Sequence, residues 1–152
     1  MNLESLTIRK LDAWDLEEVV SISATFPPNP WSKKMFIEEM HHPNASCYVM
    51  TSGKPSGASP VGFICFRNVG EESELLNIGV HPKSRGCGIG KKLMAFYMEE
   101  CRQRGVKTLY LEVDPENLPA VHLYQSLSYR KDGVRRKFYQ GRFDALLMVK
   151  EI

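Results

Sequence analysis

The sequence has few of the features that mark several large classes of protein. It contains only four cysteines, Cys47, Cys65, Cys87 and Cys101, with no CxxC pair and no histidine at ligand spacing from them. This pattern favours neither a zinc site nor a disulfide framework. We therefore expect reduced thiols that pack as small hydrophobic groups, and no structural metal.

Long apolar runs and a large net charge are also missing. No stretch reaches the ~18 apolar residues that cross a bilayer, and the opening MNLESLTIRK has no basic region followed by an apolar block. The 20 Lys and Arg residues nearly balance the 18 Asp and Glu residues. We therefore expect a cytoplasmic protein with no secretory signal, no membrane association and no direct binding of nucleic acid.

The size and periodicity of the sequence predict one α/β domain over residues 1–152. Strands are predicted at 5–11, 47–51, 61–68, 74–80, 108–113, 129–134 and 142–150. Helices are predicted at 15–26, 33–40, 91–105 and 118–127, capped in three cases by Asp15, Ser32 and Asn117. Prolines end the first helix, and a turn-rich linker at 53–60 joins two strands. The order β-α-α-β-β-β-α-β-α-β-β indicates a mixed sheet.

The segment HPKSRGCGIG, residues 81–90, joins a predicted buried strand to a helix. Such a glycine-rich turn places free N–H groups and the positive end of the helix together, which favours a phosphate. A Walker-type loop would need glycine at Arg85 and Ser or Thr at Lys92, and a dinucleotide fingerprint would need glycine at Lys91. The spacing therefore excludes both nucleotide motifs.

The pattern Arg-x-x-Gly-x-Gly, from Arg85 to Gly90, resembles the coenzyme A pyrophosphate loop of the GNAT acetyltransferase superfamily. The resemblance includes NPWSKKMF and continues through ELLNIGVHPKSRGCGIGKKLM, LYLEVDPENLPAVHLYQSLSY and GVRRKFY, so it covers about Thr7 to Val149. Within the superfamily, the sequence is most similar to the RimI family, which acetylates the N-terminal alanine of a ribosomal protein.

The resemblance implies the GNAT fold, a mixed and mostly antiparallel central sheet of six or seven strands flanked by about four helices. The sheet would be splayed where acetyl-CoA, the implied cosubstrate, is bound. Residues of the strand, the loop and the following helix cap would bind it: Ile78, Gly79, Val80, Arg85, Gly86, Cys87, Gly88, Ile89, Gly90, Lys91 and Asn117. Gly79 is unusual inside a buried strand unless another group approaches closely.

The resemblance also implies that Glu112 is the general base and Tyr124 the general acid. An amine acceptor must lose a proton, and the departing thiolate must gain one. Glu112 stands in an otherwise apolar strand, where desolvation raises the pKa of a carboxyl group. The alternatives are an outward-facing Glu112 paired with a lysine, and a Tyr124 that serves only as core.

Two positions depart from the family pattern. Asp114 stands where arginine is usual, so it either alters substrate selection or caps the next helix. Ser128 stands where glycine is usual, and we expect it to adopt a conformation that costs roughly 1 kcal/mol more for serine than for glycine.

The implied function is direct transfer of an acetyl group from acetyl-CoA to a protein N-terminal α-amine, with a ribosomal protein as the suggested acceptor. An acceptor that is a small amine, an amino acid or a lysine side chain is the first alternative. A non-catalytic acetyl-CoA binding module is the second. An acidic group, Glu71, Glu72 and Glu74, either attracts a cationic substrate or forms a solvated hairpin end. We expect a monomer or a weak homodimer.

Overall fold

A computed structural model describes residues 5–26, 30–53, 58–139 and 143–152. Within these residues the strands are β1 (Leu6–Lys10), β2 (Ala45–Ser52), β3 (Pro60–Val69), β4 (Glu72–Val80), β5 (Thr108–Val113), β6 (Arg130–Tyr139) and β7 (Phe143–Glu151). The α-helices are α1 (Leu16–Ala24), α2 (Lys33–Met40), α3 (Ile89–Gln103) and α4 (Leu118–Ser126). The predicted order is confirmed. The proline break at 27–29, the linker centre at 54–57 and the predicted start of the last strand at 142 lie outside the described residues.

All seven strands form one sheet in the order β1-β2-β3-β4-β5-β7-β6. Only β4 and β5 pair in parallel, and the other neighbours are antiparallel, as the GNAT resemblance implied. No helix among the described residues is long and apolar enough to cross a membrane.

The two faces of the sheet carry separate hydrophobic cores. Side chains alternate along β3, so Ile64 and Phe66 pack in one core while Phe63 and Cys65 pack in the other. The first core is covered by α3 and α4, and the second by α1 and α2. A side chain near the middle of the sheet can therefore lie on either of its two covered faces.

A β-bulge bends β4 near its middle. Leu75 pairs with Phe66 and Asn77 pairs with Cys65, so Leu76 is an extra residue with no partner on β3. A bulge of this kind bends its strand and increases the local twist. The bend lies at the point where β4 leaves its other neighbour, β5.

The parallel pairing of β4 and β5 ends at Leu75 and Leu111 among the described residues. Beyond this point β4 continues to Val80 on β3, and β5 continues to Val113 on β7. The two strands therefore diverge and leave a gap inside the sheet. This is the splay that the family resemblance implied.

Two predicted helix caps are confirmed and one is wrong. The Ser32 hydroxyl accepts a hydrogen bond from the Met35 amide at 3.2 Å, and the Asn117 side chain accepts one from the Ala120 amide at 3.3 Å. Asp15 precedes α1, but its carboxylate makes no capping hydrogen bond to that helix. It binds both terminal nitrogens of the Arg9 guanidinium, at 2.7 and 2.8 Å, because this bidentate pair is stronger than a cap.

Ser128 has the strained conformation that its position predicted. Its φ of 69° is the only positive value of a residue other than glycine in the described part of the chain. The strain lies where α4 ends and the chain turns into Tyr129, which is buried. The protein thus keeps a serine where glycine costs less.

We expect Ser128→Gly to stabilise the protein by about 0.5–1 kcal/mol, because the relief of the left-handed penalty exceeds the loss from the added entropy of the unfolded chain. Urea denaturation measures this as a higher midpoint with an unchanged slope. Ser126→Gly, inside the last turn of α4, is the matched control and should destabilise instead. Equal midpoints for Ser128→Gly and the parent would contradict the strain.

Candidate active site

The gap between β4 and β5 opens into a cleft of about 510 Å³. Its walls are the end of β4, the end of β5, the first turns of α4 and the loop before α3. Nine predicted site residues line it: Ile78, Gly79, Val80, Arg85, Gly86, Gly90, Glu112, Asn117 and Tyr124. Segments far apart in the sequence thus meet at one place.

The exposed edge of β4 offers backbone groups to this cleft. The His81 amide donates to Val61 on β3 at 2.8 Å, so alternate residues of β4, including Gly79, direct their backbone toward β3. Ile78 and Val80 consequently direct their N–H and C=O groups into the gap. An extended ligand can pair with these groups as an added strand does.

Gly79 has a packing reason for lacking a side chain. A Cβ at this position would lie 2.5 Å from Cε1 of Phe63 and 3.0 Å from Cγ2 of Ile22. The close approach that the sequence predicted is therefore made by the protein's own core. At this edge the backbone groups that face the gap are those of Ile78 and Val80, and a role for Gly79 in cofactor binding stays a prediction.

The glycine loop reaches α3 through two left-handed residues. Gly86 has a φ of 77° and Gly88 one of 80°, values that residues with a Cβ rarely adopt. Helix α3 starts at Ile89, two residues before its predicted start, so Gly90 and Lys91 belong to its first turn. The free N–H groups and the positive end of this helix thus lie beside the cleft, a suitable place for a phosphate.

Four predicted cofactor residues do not line the cleft. They are Cys87, Gly88, Ile89 and Lys91. The side chain of Ile89 is buried in the core, and that of Lys91 faces solvent. A role for these residues in binding acetyl-CoA remains a prediction about their backbone amides.

Arg85 connects the loop to the end of α1. Its guanidinium donates to the Val80 carbonyl at 3.2 Å and to the Thr25 hydroxyl at 2.7 Å. It also lies 4.3 Å from the ring centroid of Phe26, a cation–π distance. These contacts fix a positive charge at the wall of the cleft, where a pyrophosphate would meet it.

Glu112 lies in the cleft and is paired with a cation from β6. Its Oε1 is 2.7 Å from Nη2 of Arg135, and its side chain is only 15% exposed. Burial raises the pKa of Glu112, Arg135 lowers it, and Glu74 on the neighbouring strand β4 raises it, with a net increase above the ordinary value. The sequence also allowed an outward-facing Glu112 paired with a lysine. Glu112 does have a cationic partner, but this partner is an arginine and the Glu112 side chain is only partly exposed.

The contact with Arg135 depends on a bulge in β6. Lys131 pairs with Met148 and Gly133 with Leu147, so Asp132 is an extra residue. Glu112 also pairs with Leu147, which puts Gly133 and Arg135 on the sheet face of Glu112. Without the extra residue, Arg136 would occupy that face.

Tyr124 is both a core residue and a residue of the cleft. It is 5% exposed, and its ring centroid lies 5.8 Å from that of Tyr129. It packs in the same core as Leu111 and Val113, whereas Glu112 points to the opposite face of β5. The candidate acid and base thus approach the gap from opposite faces of the sheet.

Sequence reasoning did not identify several residues in or beside the cleft. Arg135, which contacts Glu112, gave no signal, because its position depends on the bulge. Glu74 was one of three acidic residues interpreted either as attracting a cationic substrate or as a solvated hairpin end, and it alone of them lines the cleft. Phe26 and Trp31 also line it, on the side of α1 and α2.

Asp114, one of the two departures from the family pattern, lies in the cleft wall. Its Oδ1 accepts a hydrogen bond from the Glu116 amide at 2.9 Å, so it stabilises the turn before α4.

No group of three His, Cys, Asp or Glu side chains in the described ranges is arranged to hold a metal ion.

Comparison with known proteins identifies the class. The model of the acetyltransferase (GNAT) family matches residues 16–129, and this chain belongs to that family. It is an acetyl-CoA-dependent N-acetyltransferase with the GNAT fold.

Within the family, the chain is similar to enzymes whose names state that they acetylate an alanine of a ribosomal protein. The [ribosomal protein bS18]-alanine N-acetyltransferase of Escherichia coli K12 is 32% identical over 149 residues, which is 96% of this chain and 97% of that protein. The crystal structure of the ribosomal-protein-S18-alanine N-acetyltransferase from Escherichia coli has a TM-score of 0.83 at 31% identity, covering 97% of this chain and 94% of the other.

Acetyl-CoA is present in one structure of the same fold. The crystal structure of Arabidopsis thaliana NAA60 in complex with acetyl-CoA has a TM-score of 0.83 at 22% identity, covering 97% of this chain and 98% of that one. At this identity the similarity concerns the fold.

Proposed function

We propose that this protein acetylates the N-terminal α-amine of a protein, with an N-terminal alanine of a ribosomal protein as the leading acceptor. Glu112 is the general base and Tyr124 the general acid. The observation that carries the proposal is that both line one cleft, at the break in the sheet, from its two faces. The acceptor comes from the relatives that are 32% identical, whose names state it.

Glu112 is suited to take a proton from an incoming ammonium group. Its carboxylate is half-buried, which raises its pKa above the ordinary value, and Arg135 keeps this increase limited. Glu112 is therefore more basic than a solvated carboxylate. Its face of the sheet is the face of α1 and α2, where Trp31 and Phe26 also border the cleft.

Tyr124 is suited to protonate the sulfur that leaves. Acetyl-CoA supplies the thioester, which the free amine attacks while the bond from carbonyl carbon to sulfur breaks. The departing thiolate needs a proton, and a phenol directed into the cleft from α4 provides it. The backbone N–H groups of Ile78 and Val80 would position the cosubstrate along β4.

The acceptor side of the cleft is acidic. Glu74, Glu112 and Asp114 line it, and Arg135 partly neutralises Glu112. This balance of charge favours a cationic acceptor such as a protonated amino terminus.

The direct experiment is an acetylation screen by mass spectrometry. Short peptides with different first residues are compared with the same peptides blocked at the amino terminus, with lysine side chains and with small amines. We expect rapid acetylation of peptides that begin with alanine and none of the blocked peptides. Transfer only to small amines or to lysine would contradict the proposal, and acetyl-CoA binding without any transfer would favour a binding module.

The acid role of Tyr124 predicts a specific loss of turnover. We expect Tyr124→Phe to lower kcat about 100-fold, a typical effect of a general acid, with the Kd of acetyl-CoA within about twofold. Tyr129→Phe is the matched control. The Tyr129 hydroxyl is buried and has no hydrogen-bond partner among the described residues, so its removal should keep kcat. Equal losses in the two variants would indicate packing instead.

The ion pair predicts a shift in the pH profile. Arg135 lowers the pKa of Glu112, so Arg135→Gln raises it, and the base stays protonated up to a higher pH. We expect the acidic limb of kcat/KM to move upward by about one pH unit, with a similar plateau at high pH. Arg136→Gln, at the exposed neighbouring position, should leave the limb in place. A uniform loss at every pH would contradict this role for Arg135.

A further inference from the structure

We propose that Cys47 and Cys65 are a redox-sensitive pair that a peroxide converts into a disulfide between β2 and β3. The two residues lie directly opposite each other in the antiparallel register. Neither belongs to the catalytic cleft, and both are free thiols in this structure. No local pattern predicts this pairing, since the two cysteines are distant in the chain and match no CxxC motif.

The hydrogen-bond pattern places the two cysteines at the kind of site where strands are closest. The Leu11 amide donates to the Cys47 carbonyl at 2.9 Å, so the backbone of Cys47 faces β1 rather than β3. Cys47 and Cys65 therefore form a non-hydrogen-bonded pair, with Cα atoms about 4.5 Å apart and side chains closer than at the other type of pair. A disulfide needs a Cα separation of about 4.4–6.8 Å, which this site provides.

The two thiols differ in a way that suits a stepwise reaction. Cys65 is completely buried, and burial together with its hydrogen-bonding contact with Cys47 raises the pKa of its thiol. Cys47 is partly exposed and lines a groove of about 310 Å³, where Lys10 and Arg104 also lie. Because Cys47 is partly exposed, a small oxidant can reach its thiol more readily than that of Cys65.

The chemistry balances with a peroxide as the oxidant. The sulfur of Cys47 attacks one peroxide oxygen, the O–O bond breaks, and one water leaves with Cys47 as a sulfenic acid. The sulfur of Cys65 then attacks the sulfur of Cys47, the S–O bond breaks, and a second water leaves. Two thiols lose two electrons and two protons, and one peroxide gains them.

The pair is connected to the active-site cleft through β3. Cys65 pairs with Asn77 on its other side, next to the extra residue Leu76 that bends β4. Disulfides most often have Cα atoms about 5.5–6 Å apart, so closing the bond would move β3 away from β2. That movement acts on the bulge that separates β4 from β5. We expect the disulfide to weaken acetyl-CoA binding.

The test treats the full chain with hydrogen peroxide and analyses it by mass spectrometry without reduction. We expect a peptide that links Cys47 to Cys65, free thiols at Cys87 and Cys101, and full reversal by dithiothreitol. Titration calorimetry of the oxidised protein should show a Kd for acetyl-CoA at least about fivefold higher, the lower end of typical coupling between two sites.

Single variants supply the controls. Cys47→Ser, at the more exposed position, should keep the fold, form no linkage and keep its acetyl-CoA affinity after peroxide. Cys65→Ser should likewise form no linkage. Oxidation of Cys47 to a sulfinic acid while Cys65 keeps its thiol would overturn the proposal, and so would a linkage through Cys87. A complete Cys47–Cys65 disulfide with unchanged affinity would overturn the connection to the cleft.

Discussion

The separation of β4 from β5 beyond Leu75 and Leu111 is the constraint on which the active site depends. A continuous sheet would pair the backbone groups of Ile78 and Val80 with a neighbouring strand and leave no gap. The extra residue at Leu76 bends β4 and prevents that pairing. The cost is a strand edge with no strand partner at Ile78 and Val80, and an extended cosubstrate would be a natural partner for their N–H groups. The bulge at Leu76 that shapes the sheet thus also forms the edge at which the cosubstrate would bind.

Positive and negative residues lie at different places around the gap. Arg85 and the first turn of α3 supply positive potential where phosphates would lie. Glu74 and Asp114 supply negative potential on the wall that an ammonium group would approach. Burial raises the pKa of Glu112, and Arg135, 2.7 Å away, opposes that increase.

Much of the fold followed from local signals. The Asn117 cap and the start of α2 after Ser32 were predicted, because such caps need only neighbouring residues. The positive φ of Ser128 was predicted from its place at a helix end. Asp15 was misjudged as a cap, since its better partner, Arg9, lies on β1. The partner of the Asp15 carboxylate depends on which segments meet in the fold, and no local sequence pattern predicts it.

The sequence by itself determined the order of elements, the anion-binding turn and the family, because periodicity, glycine spacing and motif order are properties of the chain. It also determined Glu112 and Tyr124 as candidates through the family resemblance. The tertiary structure decided that they approach one gap from opposite faces, that Arg135 rather than Arg136 contacts Glu112, and that Cys47 lies opposite Cys65. These facts depend on strand register, and a single bulged residue reverses which face a side chain occupies.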